Sequence, residues 1–189
     1  MKKRKFLTKE EVVLLLKASQ TGKHGVRNHC LIFMAFRHGC RISELLSLTL
    51  SDIDMLSKQV YISRLKNGFS TVHPFDEQEF AIITKWLEVR STYSSAAKSE
   101  YVFVTERNSN LSRKQAWLII KKCGMRSDIN IHTHPHMLRH ACGYTLANEG
   151  ADTRLIQDYL GHRNIRHTVR YTQGNSARFA GLLKVMTQE

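Results

Sequence analysis

The helical part of this chain is organised around residues 39–46, which read Gly39-Cys40-Arg41-Ile42-Ser43-Glu44-Leu45-Leu46. Apolar residues at helical spacing over residues 26–38 precede this stretch and predict a helix. Gly39 favours the end of that helix, because glycine readily adopts the left-handed conformation required there. Ser43 then predicts the N-cap of a short helix. Arg41 lies at the N-terminus of this helix, where backbone N–H groups and the helix dipole favour an anion.

The rest of the chain carries similar local signals. Thr8 and Glu11 form the pattern of a capping box at the start of a first helix. Residues 60–75 change to a period of two around Lys66-Asn67-Gly68, which predicts an antiparallel hairpin with a tight turn. Further helices are predicted over residues 77–90, 111–122 with Gly124 as the stop, 133–149 with Thr133 as the N-cap, 152–160 and 164–171. The expected fold class is mainly α with one small antiparallel β-sheet (α+β).

Length and composition exclude several classes of protein. The chain has 189 residues, a mass of 21.8 kDa and 42% hydrophobic residues, which predicts one soluble globular domain. Its longest apolar run, residues 30–36, is far shorter than the ~18 residues that a membrane span needs. The basic start at residues 2–5 is followed almost at once by acidic residues, which is unlike a signal peptide. We therefore expect a cytoplasmic protein without a membrane partner.

Neither the cysteines nor the histidines form a convincing metal motif. The cysteines contain no C-x-x-C pair and lie beside apolar residues, which predicts reduced, partly buried thiols. They are Cys30, Cys40, Cys123 and Cys142. His136 and His140 have the i, i+4 spacing of a zinc motif, but Met137 occupies the position of the required glutamate. We expect no metal site.

The charge of the chain is strongly positive and unevenly distributed. Lys and Arg number 29 and Asp and Glu 16, so the net charge is +13. Residues 107–127 and 159–188 contain no acidic residue. Two such stretches on a basic chain predict a polyanionic partner, commonly nucleic acid, although charge alone does not separate DNA from RNA or lipid. The candidate DNA-binding residues in these stretches are Arg113, Lys114, Lys121, Lys122, Arg163 and Arg166.

Ionisable residues recur at the predicted helix boundaries. Arg41 is the first of these residues. His136 and Arg139 are three residues apart, and their side chains therefore share one helix face. His162 follows a helix that ends in glycine, and Tyr171 comes nine residues later. Together with a lysine in the hairpin, these residues supply what phosphodiester transfer requires. They offer cations for the non-bridging oxygens, a nucleophile, and an acid for the leaving oxygen.

The order of these ionisable residues along the chain resembles the active-site pattern of the tyrosine recombinases. The matching segments are Cys40-Arg41-Ile42-Ser43-Glu44-Leu45, Lys66, His136-x-x-Arg139, Leu160-Gly161-His162 and Tyr171. The resemblance extends from about residue 8 to residue 171. It implies the catalytic-domain fold of that family and an enzyme that cleaves and rejoins DNA.

The resemblance implies a role for each matching residue. Tyr171 attacks the scissile phosphate, forms a 3′-phosphotyrosine and releases a 5′-hydroxyl. Arg41 and Arg139 bind the non-bridging oxygens. His162 donates to a phosphate oxygen, and Glu44 supports the arginines. No metal or nucleotide cofactor is required, because the covalent bond to the tyrosine retains the energy for religation.

Two proton-transfer roles are implied as well. Lys66 is the expected general acid for the departing 5′ oxygen, although Arg64 and Lys58 are near enough in sequence to compete for that role. His136 is the expected acid/base partner of Tyr171, because a phenol with an ordinary pKa of about 10 is a weak nucleophile unaided.

The chain looks most like the small recombinases that invert a promoter segment to switch fimbrial genes. The family pattern begins by Thr8, so we expect a catalytic domain at residues 1–175, with a basic stub at residues 1–7 and no separate N-terminal core-binding domain. Residues 176–189 predict an amphipathic helix. Its apolar side chains are Phe179, Leu182, Leu183 and Met186. This helix either docks on a neighbouring protomer or packs on its own core.

The implied partners are double-stranded DNA with inverted-repeat half-sites, a homo-oligomer (a dimer on one site and a tetramer in synapsis) and DNA-bending accessory proteins. The implied location is the bacterial cytoplasm, on the nucleoid when bound. Two other functions stay open. Residues 152–173 resemble a helix-turn-helix, and a non-catalytic DNA-binding regulator would not need Tyr171. A tyrosine-dependent topoisomerase would share the chemistry but relax DNA without pairing two sites.

Overall fold

Helices form most of the fold in the computed structural model, which describes residues 4–65, 68–107 and 110–173. The helices are α1 (Lys9–Ser19), α2 (Gly25–Arg37), α3 (Ile42–Leu46), α4 (Glu77–Ser91), α5 (Arg113–Arg126), α6 (Pro135–Asn148), α7 (Thr153–Leu160) and α8 (Arg166–Thr172). The strands are β1 (Ile53–Asp54), β2 (Gln59–Ile62) and β3 (Thr71–Pro74). The expected α+β class is confirmed. Within these described ranges, no helix has the length and hydropathy needed to cross a membrane.

The strands form one antiparallel sheet in the order β1-β2-β3. Strands β2 and β3 are the two arms of the predicted hairpin, with Val60 opposite His73 and Ile62 opposite Thr71. The predicted turn at Lys66-Asn67-Gly68 includes residues 66 and 67, which lie outside the described residues. Strand β1 is absent from the sequence prediction, because two residues are too few to show an alternating pattern.

Local capping signals are confirmed at several helix ends. The backbone N–H of Glu11 donates to Thr8 Oγ1 at 3.2 Å, and the Thr8 N–H donates to Glu11 Oε2 at 2.9 Å, which completes the capping box. Asp152 caps α7, and Gly161 ends that helix in the left-handed conformation with a φ of 66°. Gly39 follows α2 with a φ of 56°, as expected.

The boundary between α5 and α6 differs from the prediction because a tertiary contact decides it. Helix α5 continues through Gly124, since the absence of a side chain there leaves room for Thr133. The hydroxyl of Thr133 donates to the carbonyl of Ile120 at 3.0 Å. The side chain of Thr133 is therefore hydrogen-bonded to α5 and does not cap α6. His134 is the N-cap of α6 instead.

Helix α3 also begins earlier than predicted. Its N-cap is Arg41 rather than Ser43. The carboxylate of Glu44 accepts the backbone N–H of Arg41 at 2.9 Å and so draws this residue into the first turn. The side chain that the sequence pattern placed in a supporting role therefore also fixes the backbone from which Arg41 projects.

Helix α2 forms the centre of the core and packs against α1, α4 and α6. Its fully buried side chains include Cys30, Leu31, Ile32 and Met34. All four cysteines are free thiols, and they are buried rather than partly buried as expected. A second, smaller apolar cluster joins α6, α7 and α8 and contains Tyr171. The predicted nucleophile is thus part of the packing that attaches α8 to the rest of the protein.

Candidate active site

Glu44 is a fully buried carboxylate that several cationic and N–H groups share. It accepts the backbone N–H and the Nη1 of Arg41. Nη1 of Arg64 lies 3.2 Å from Oε2, and the backbone N–H of Leu65 donates to Oε1 at 3.2 Å. Nη1 of Arg139 lies 3.9 Å from Oε2. One side chain from α3 therefore joins α6 and the residues that follow β2.

The surroundings of Glu44 keep it ionised. Burial acts to raise its pKa, but the hydrogen bonds from Arg41 and the positive charges of Arg64 and Arg139 outweigh burial and lower the pKa below the ordinary value. The cluster therefore contains one negative charge against three guanidinium groups. This excess of positive charge favours a bound anion such as a phosphate.

Arg139 is held by backbone carbonyl groups as well as by Glu44. Its Nη1 donates to the carbonyl of Gly39, and its Nη2 donates to the carbonyl of Leu160 at 2.9 Å. Burial and the neighbouring arginines lower its pKa to about 10, so the guanidinium stays protonated at neutral pH. The residues after α2 and the end of α7 are thereby fixed around one cation.

Arg64, expected only as a competitor of Lys66, is buried beside Glu44. Its side chain is fully excluded from solvent, and its Nη2 donates to the carbonyls of His38 at 3.2 Å and Tyr159 at 2.8 Å. Lys58, the other expected competitor of Lys66, binds an exposed carboxylate on α4 at 2.9 Å. Lys66 itself lies outside the described residues. Alternation in sequence could have identified Arg64, because it extends the inward face formed by residues 60 and 62.

Tyr171 lies on α8 with 3% of its surface exposed. Its hydroxyl oxygen is 3.0 Å from Nδ1 of His140. Its ring lies parallel to that of His162, with centroids 6.4 Å apart, and edge-on to Tyr144 at 5.1 Å. Gly143 makes this position possible, because a Cβ there would lie 2.7 Å from carbons of the tyrosine ring.

Tyr171 and the two histidines that face it are neutral near pH 7. Burial raises the pKa of Tyr171 to about 12. Burial, followed by the charges of Arg139 and Arg41, lowers the pKa of His162 to about 3. Burial and the charge of Arg170 lower the pKa of His140 to about 4. The phenol is therefore protonated and both imidazoles are uncharged near neutral pH.

Arg41 and His162 line one open cleft of about 830 Å³, together with the predicted DNA-binding residue Arg163. About a quarter (26%) of the Arg41 side chain is exposed there. Nδ1 of His162 lies 2.9 Å from Oγ1 of Thr168, which orients the ring. Arg166 is exposed at the start of α8. The cleft therefore combines a partly free guanidinium with an oriented imidazole.

His136 lies in a different cleft of about 770 Å³ between α5 and the start of α6. It is exposed in the first turn of α6. The predicted DNA-binding residues Arg113, Lys114 and Lys121 line the same cleft, beside the indole of Trp117. Lys122 is exposed on α5. The structure thus groups Arg41, Arg139 and Glu44 in one cluster, and His162 with Tyr171, whereas it places His136 among these basic residues.

Comparison with protein-family models matches residues 5–178 to the Phage integrase family. The chain therefore belongs to this family, and the resemblance to the tyrosine recombinases is confirmed. Among curated proteins, the type 1 fimbriae regulatory protein FimE of Escherichia coli K12 is 55% identical, over 96% of this chain and 92% of that protein. The corresponding FimB is 52% identical, over 96% and 90%. Tyrosine recombinase XerC of Oceanobacillus iheyensis is 33% identical, over 88% of this chain and 56% of XerC.

Solved structures share the fold at lower sequence identity. The XerA recombinase matches with a TM-score of 0.80 and 22% identity, over 97% of this chain and 65% of that chain. The XerH site-specific recombinase bound to its difH substrate matches with a TM-score of 0.78 and 21% identity, over 98% and 55%. This chain therefore spans about two thirds or less of these structures. The expected catalytic-domain fold is confirmed.

Proposed function

We propose that this protein is a site-specific tyrosine recombinase that inverts a DNA segment controlling fimbrial genes. Membership of the Phage integrase family and similarity to FimE and FimB over nearly their whole length support this function. The observation that carries it is the packing of Tyr171 against His162, which lines one cleft with Arg41. Tyr171 is thereby one side chain away from the cleft that contains Arg41, which fits a nucleophile and a cationic donor acting on one phosphodiester.

In the proposed reaction, the phenol oxygen of Tyr171 attacks phosphorus and the bond from phosphorus to the 5′ oxygen breaks. Arg41 and Arg139 stabilise the negative charge on the non-bridging oxygens, and Glu44 fixes both guanidinium groups. The product is a 3′-phosphotyrosine and a free 5′-hydroxyl. One phosphodiester replaces another, so religation needs no high-energy cofactor.

Three further side chains are proposed to transfer or donate protons. Lys66 protonates the 5′ oxygen, a role for which its competitors Arg64 and Lys58 are unsuited because both are engaged elsewhere. His162 donates to a phosphate oxygen in the cleft that it lines. His136, in the first turn of α6, serves as an acid/base group near the phosphate.

We propose that the basic residues of the two clefts contact DNA phosphates. Arg163 lines the cleft of His162, and Arg166 is exposed on the following helix. Three of the α5 residues line the cleft of His136, and the fourth, Lys122, is exposed on the same helix. The α5 residues are Arg113, Lys114, Lys121 and Lys122. The net charge of +13 supports the same interpretation.

The assembly is also a proposal. The catalytic domain at residues 1–175 binds inverted-repeat half-sites as a dimer and forms a tetramer in synapsis, in the bacterial cytoplasm on the nucleoid. A solved lambda integrase dimer bound to a core site, with a TM-score of 0.70, supports the dimer through the shared fold. Residues 176–189, outside the described residues, dock on a neighbouring protomer, and DNA-bending accessory proteins complete the complex.

An inversion assay tests the proposed function. A plasmid carrying two inverted repeats from beside the gene is incubated with the protein, and the orientation of the intervening segment is read by asymmetric restriction cleavage. We expect inversion by the wild-type protein and none by Tyr171→Phe. Relaxed circles without inversion would favour the topoisomerase. Sequence-specific binding without rearrangement, unchanged in Tyr171→Phe, would favour the non-catalytic regulator.

A further inference from the structure

The hydroxyl group of Tyr171 has a hydrogen-bond partner other than the histidine expected from the sequence. Its oxygen lies 3.0 Å from Nδ1 of His140, the residue that follows Arg139 on α6. The two rings are tilted, with centroids 5.9 Å apart. The tyrosine is buried and the histidine half-buried. This contact therefore brings an imidazole nitrogen directly to the atom that must attack phosphorus.

The charge states of the two partners allow the phenol to act as the donor in this hydrogen bond. His140 is neutral near pH 7, because burial and nearby positive charge lower its pKa to about 4. Burial raises the pKa of Tyr171 to about 12, so the phenol keeps its proton. With both groups neutral, the phenol O–H donates to Nδ1 in the tautomer of His140 that carries its proton on Nε2. A general base needs this arrangement before proton transfer.

The other histidines of the site are placed differently. Nδ1 of His162 lies beside the hydroxyl of Thr168, and its ring faces the flat side of the tyrosine ring at 6.4 Å. His136 is exposed one helical turn before His140 and lines the basic cleft at the start of α6. The contact with the reacting oxygen of Tyr171 thus belongs to His140.

Building on the proposed function, we propose that His140 is a further catalytic residue, which accepts the proton of Tyr171 as the phenol oxygen attacks phosphorus. The bond between Oη and phosphorus forms while the bond from phosphorus to the 5′ oxygen breaks. The phenol proton moves to Nδ1 of His140, and the 5′ oxygen takes a proton from Lys66. In religation the imidazolium returns its proton to Oη. In this scheme His136 interacts with the phosphate and does not accept the proton of Tyr171.

Binding of DNA changes the strength of this base in the required direction. The titratable and charged groups that lower the pKa of His140, in addition to burial, are Arg170, His136, Arg139 and His134. Phosphates bound near these groups offset their positive charge and therefore raise the pKa of His140 toward neutral pH. A general base is most effective there. The proton acceptor thus becomes stronger when substrate is bound.

The test measures the rate of covalent adduct formation by the full chain on a nicked suicide duplex. His140→Ala removes the acceptor, whereas His140→Asn keeps an amide oxygen near the position of Nδ1 but cannot take up a proton. We expect both variants to react at least about a hundredfold more slowly than wild type. Their affinity for DNA in a gel shift and their circular dichroism should be unchanged.

The matched control is His24→Asn. Nδ1 of His24 lies 3.2 Å from the hydroxyl of Tyr93, which is the same kind of histidine–tyrosine contact at the opposite end of α2 from the site. We expect this variant to form the adduct at the wild-type rate. If His140→Ala loses its fold, His140→Asn decides the question alone, because it retains the hydrogen bond.

A modified substrate separates His140 from the leaving-group acid. In a duplex with a 5′-bridging phosphorothiolate, the departing sulfur needs no protonation. We expect this substrate to restore cleavage by Lys66→Ala but not by His140→Asn. Restoration of His140→Asn would overturn the proposal, because it would assign the residue to the leaving group.

Two other outcomes contradict the proposal in different ways. Cleavage by His140→Asn within threefold of wild type would overturn the proton transfer and leave only a hydrogen bond that positions Tyr171. A wild-type protein that forms no Tyr171-dependent adduct would overturn the proposed function and the role of His140 together. The first outcome leaves the proposed function intact, so the two failures are distinguishable.

Discussion

At the scale of single residues, the site depends on one buried carboxylate placed among three arginines. Without Glu44, the guanidinium groups of Arg41, Arg64 and Arg139 would repel one another in a region with little solvent. Without the arginines, the carboxylate would be costly to bury. The arrangement is stable because opposite charges are enclosed together. It leaves part of Arg41 available to a phosphate.

Replacement of Glu44 tests this dependence. We expect Glu44→Gln to lower the free energy of unfolding by about 3–5 kcal/mol, because the variant leaves buried positive charge uncompensated. Urea denaturation measures the change. Glu77→Gln is the control, since Glu77 forms an exposed pair with Lys58, and its denaturation midpoint should equal that of wild type. Equal midpoints for both variants would show that the arginines do not need the carboxylate.

Replacement of the hairpin lysine tests the proposed general acid. We expect Lys66→Ala to slow strand cleavage by about 10²–10⁴-fold, as is typical for loss of general acid catalysis. Single-turnover kinetics on the suicide duplex give this rate. Lys58→Ala should react like wild type, because Lys58 binds a carboxylate on α4. A larger defect in Lys58→Ala than in Lys66→Ala would reverse the assignment.

At the scale of the elements, sequence predicts the features that depend on neighbours along the chain. The capping box at Thr8 and the left-handed Gly161 involve residues within a few positions, so their patterns are visible in sequence. Gly124 does not end its helix, because glycine is needed there to leave room for Thr133, which lies in the loop before α6. Local patterns therefore give the helices and most of their ends, but not the ends set by tertiary packing.

The same distinction explains which site residues the sequence reveals. Arg41 and Arg139 lie in recognisable motifs, and the structure brings both to Glu44. Arg64 continues the alternating pattern of β2, but its partners on α3 and α7 are brought to it only by the tertiary fold. His140 meets Tyr171 only when α6 packs against α8, so spacing along the chain does not predict these contacts. His140 does share a helix face with His136, but that spacing is equally typical of a metal motif.

A substitution in α6 tests whether the packing of Tyr171 against this helix is needed for the reaction. In Gly143→Ala the new Cβ would meet the ring of Tyr171, although alanine favours a helix by about 1 kcal/mol over glycine. We expect adduct formation to fall at least about tenfold through displacement of the tyrosine. Helical content, measured by circular dichroism, should be retained. Wild-type cleavage by this variant would show that the packed position of the tyrosine is not needed for reaction.

At the scale of the whole molecule, burial of neutral histidines links folding to pH. Burial, aided by nearby positive charge, lowers the pKa values of His73 and His162 to about 3 and of His140 to about 4. In the unfolded chain, each histidine titrates near 6.5. Between these values the unfolded chain binds protons that the folded protein excludes.

Stability should therefore decrease as the pH falls. We expect the free energy of unfolding to be constant with respect to these groups above pH ~6.5 and to fall between pH ~6.5 and ~4. Each histidine contributes a slope of up to about 1.4 kcal/mol per pH unit. Urea denaturation across this range measures the slope, and His162→Asn should reduce it by one histidine's share. A free energy that is independent of pH would contradict the buried neutral state.

The most direct test of the central claim identifies the residue that carries the DNA. The wild-type protein is allowed to cleave the suicide duplex, the adduct is digested with trypsin, and the DNA-linked peptide is sequenced by mass spectrometry. We predict a 3′-phosphate ester on Tyr171, and no adduct with Tyr171→Phe. Linkage of the DNA to any other residue, or an undiminished adduct in Tyr171→Phe, would contradict the account.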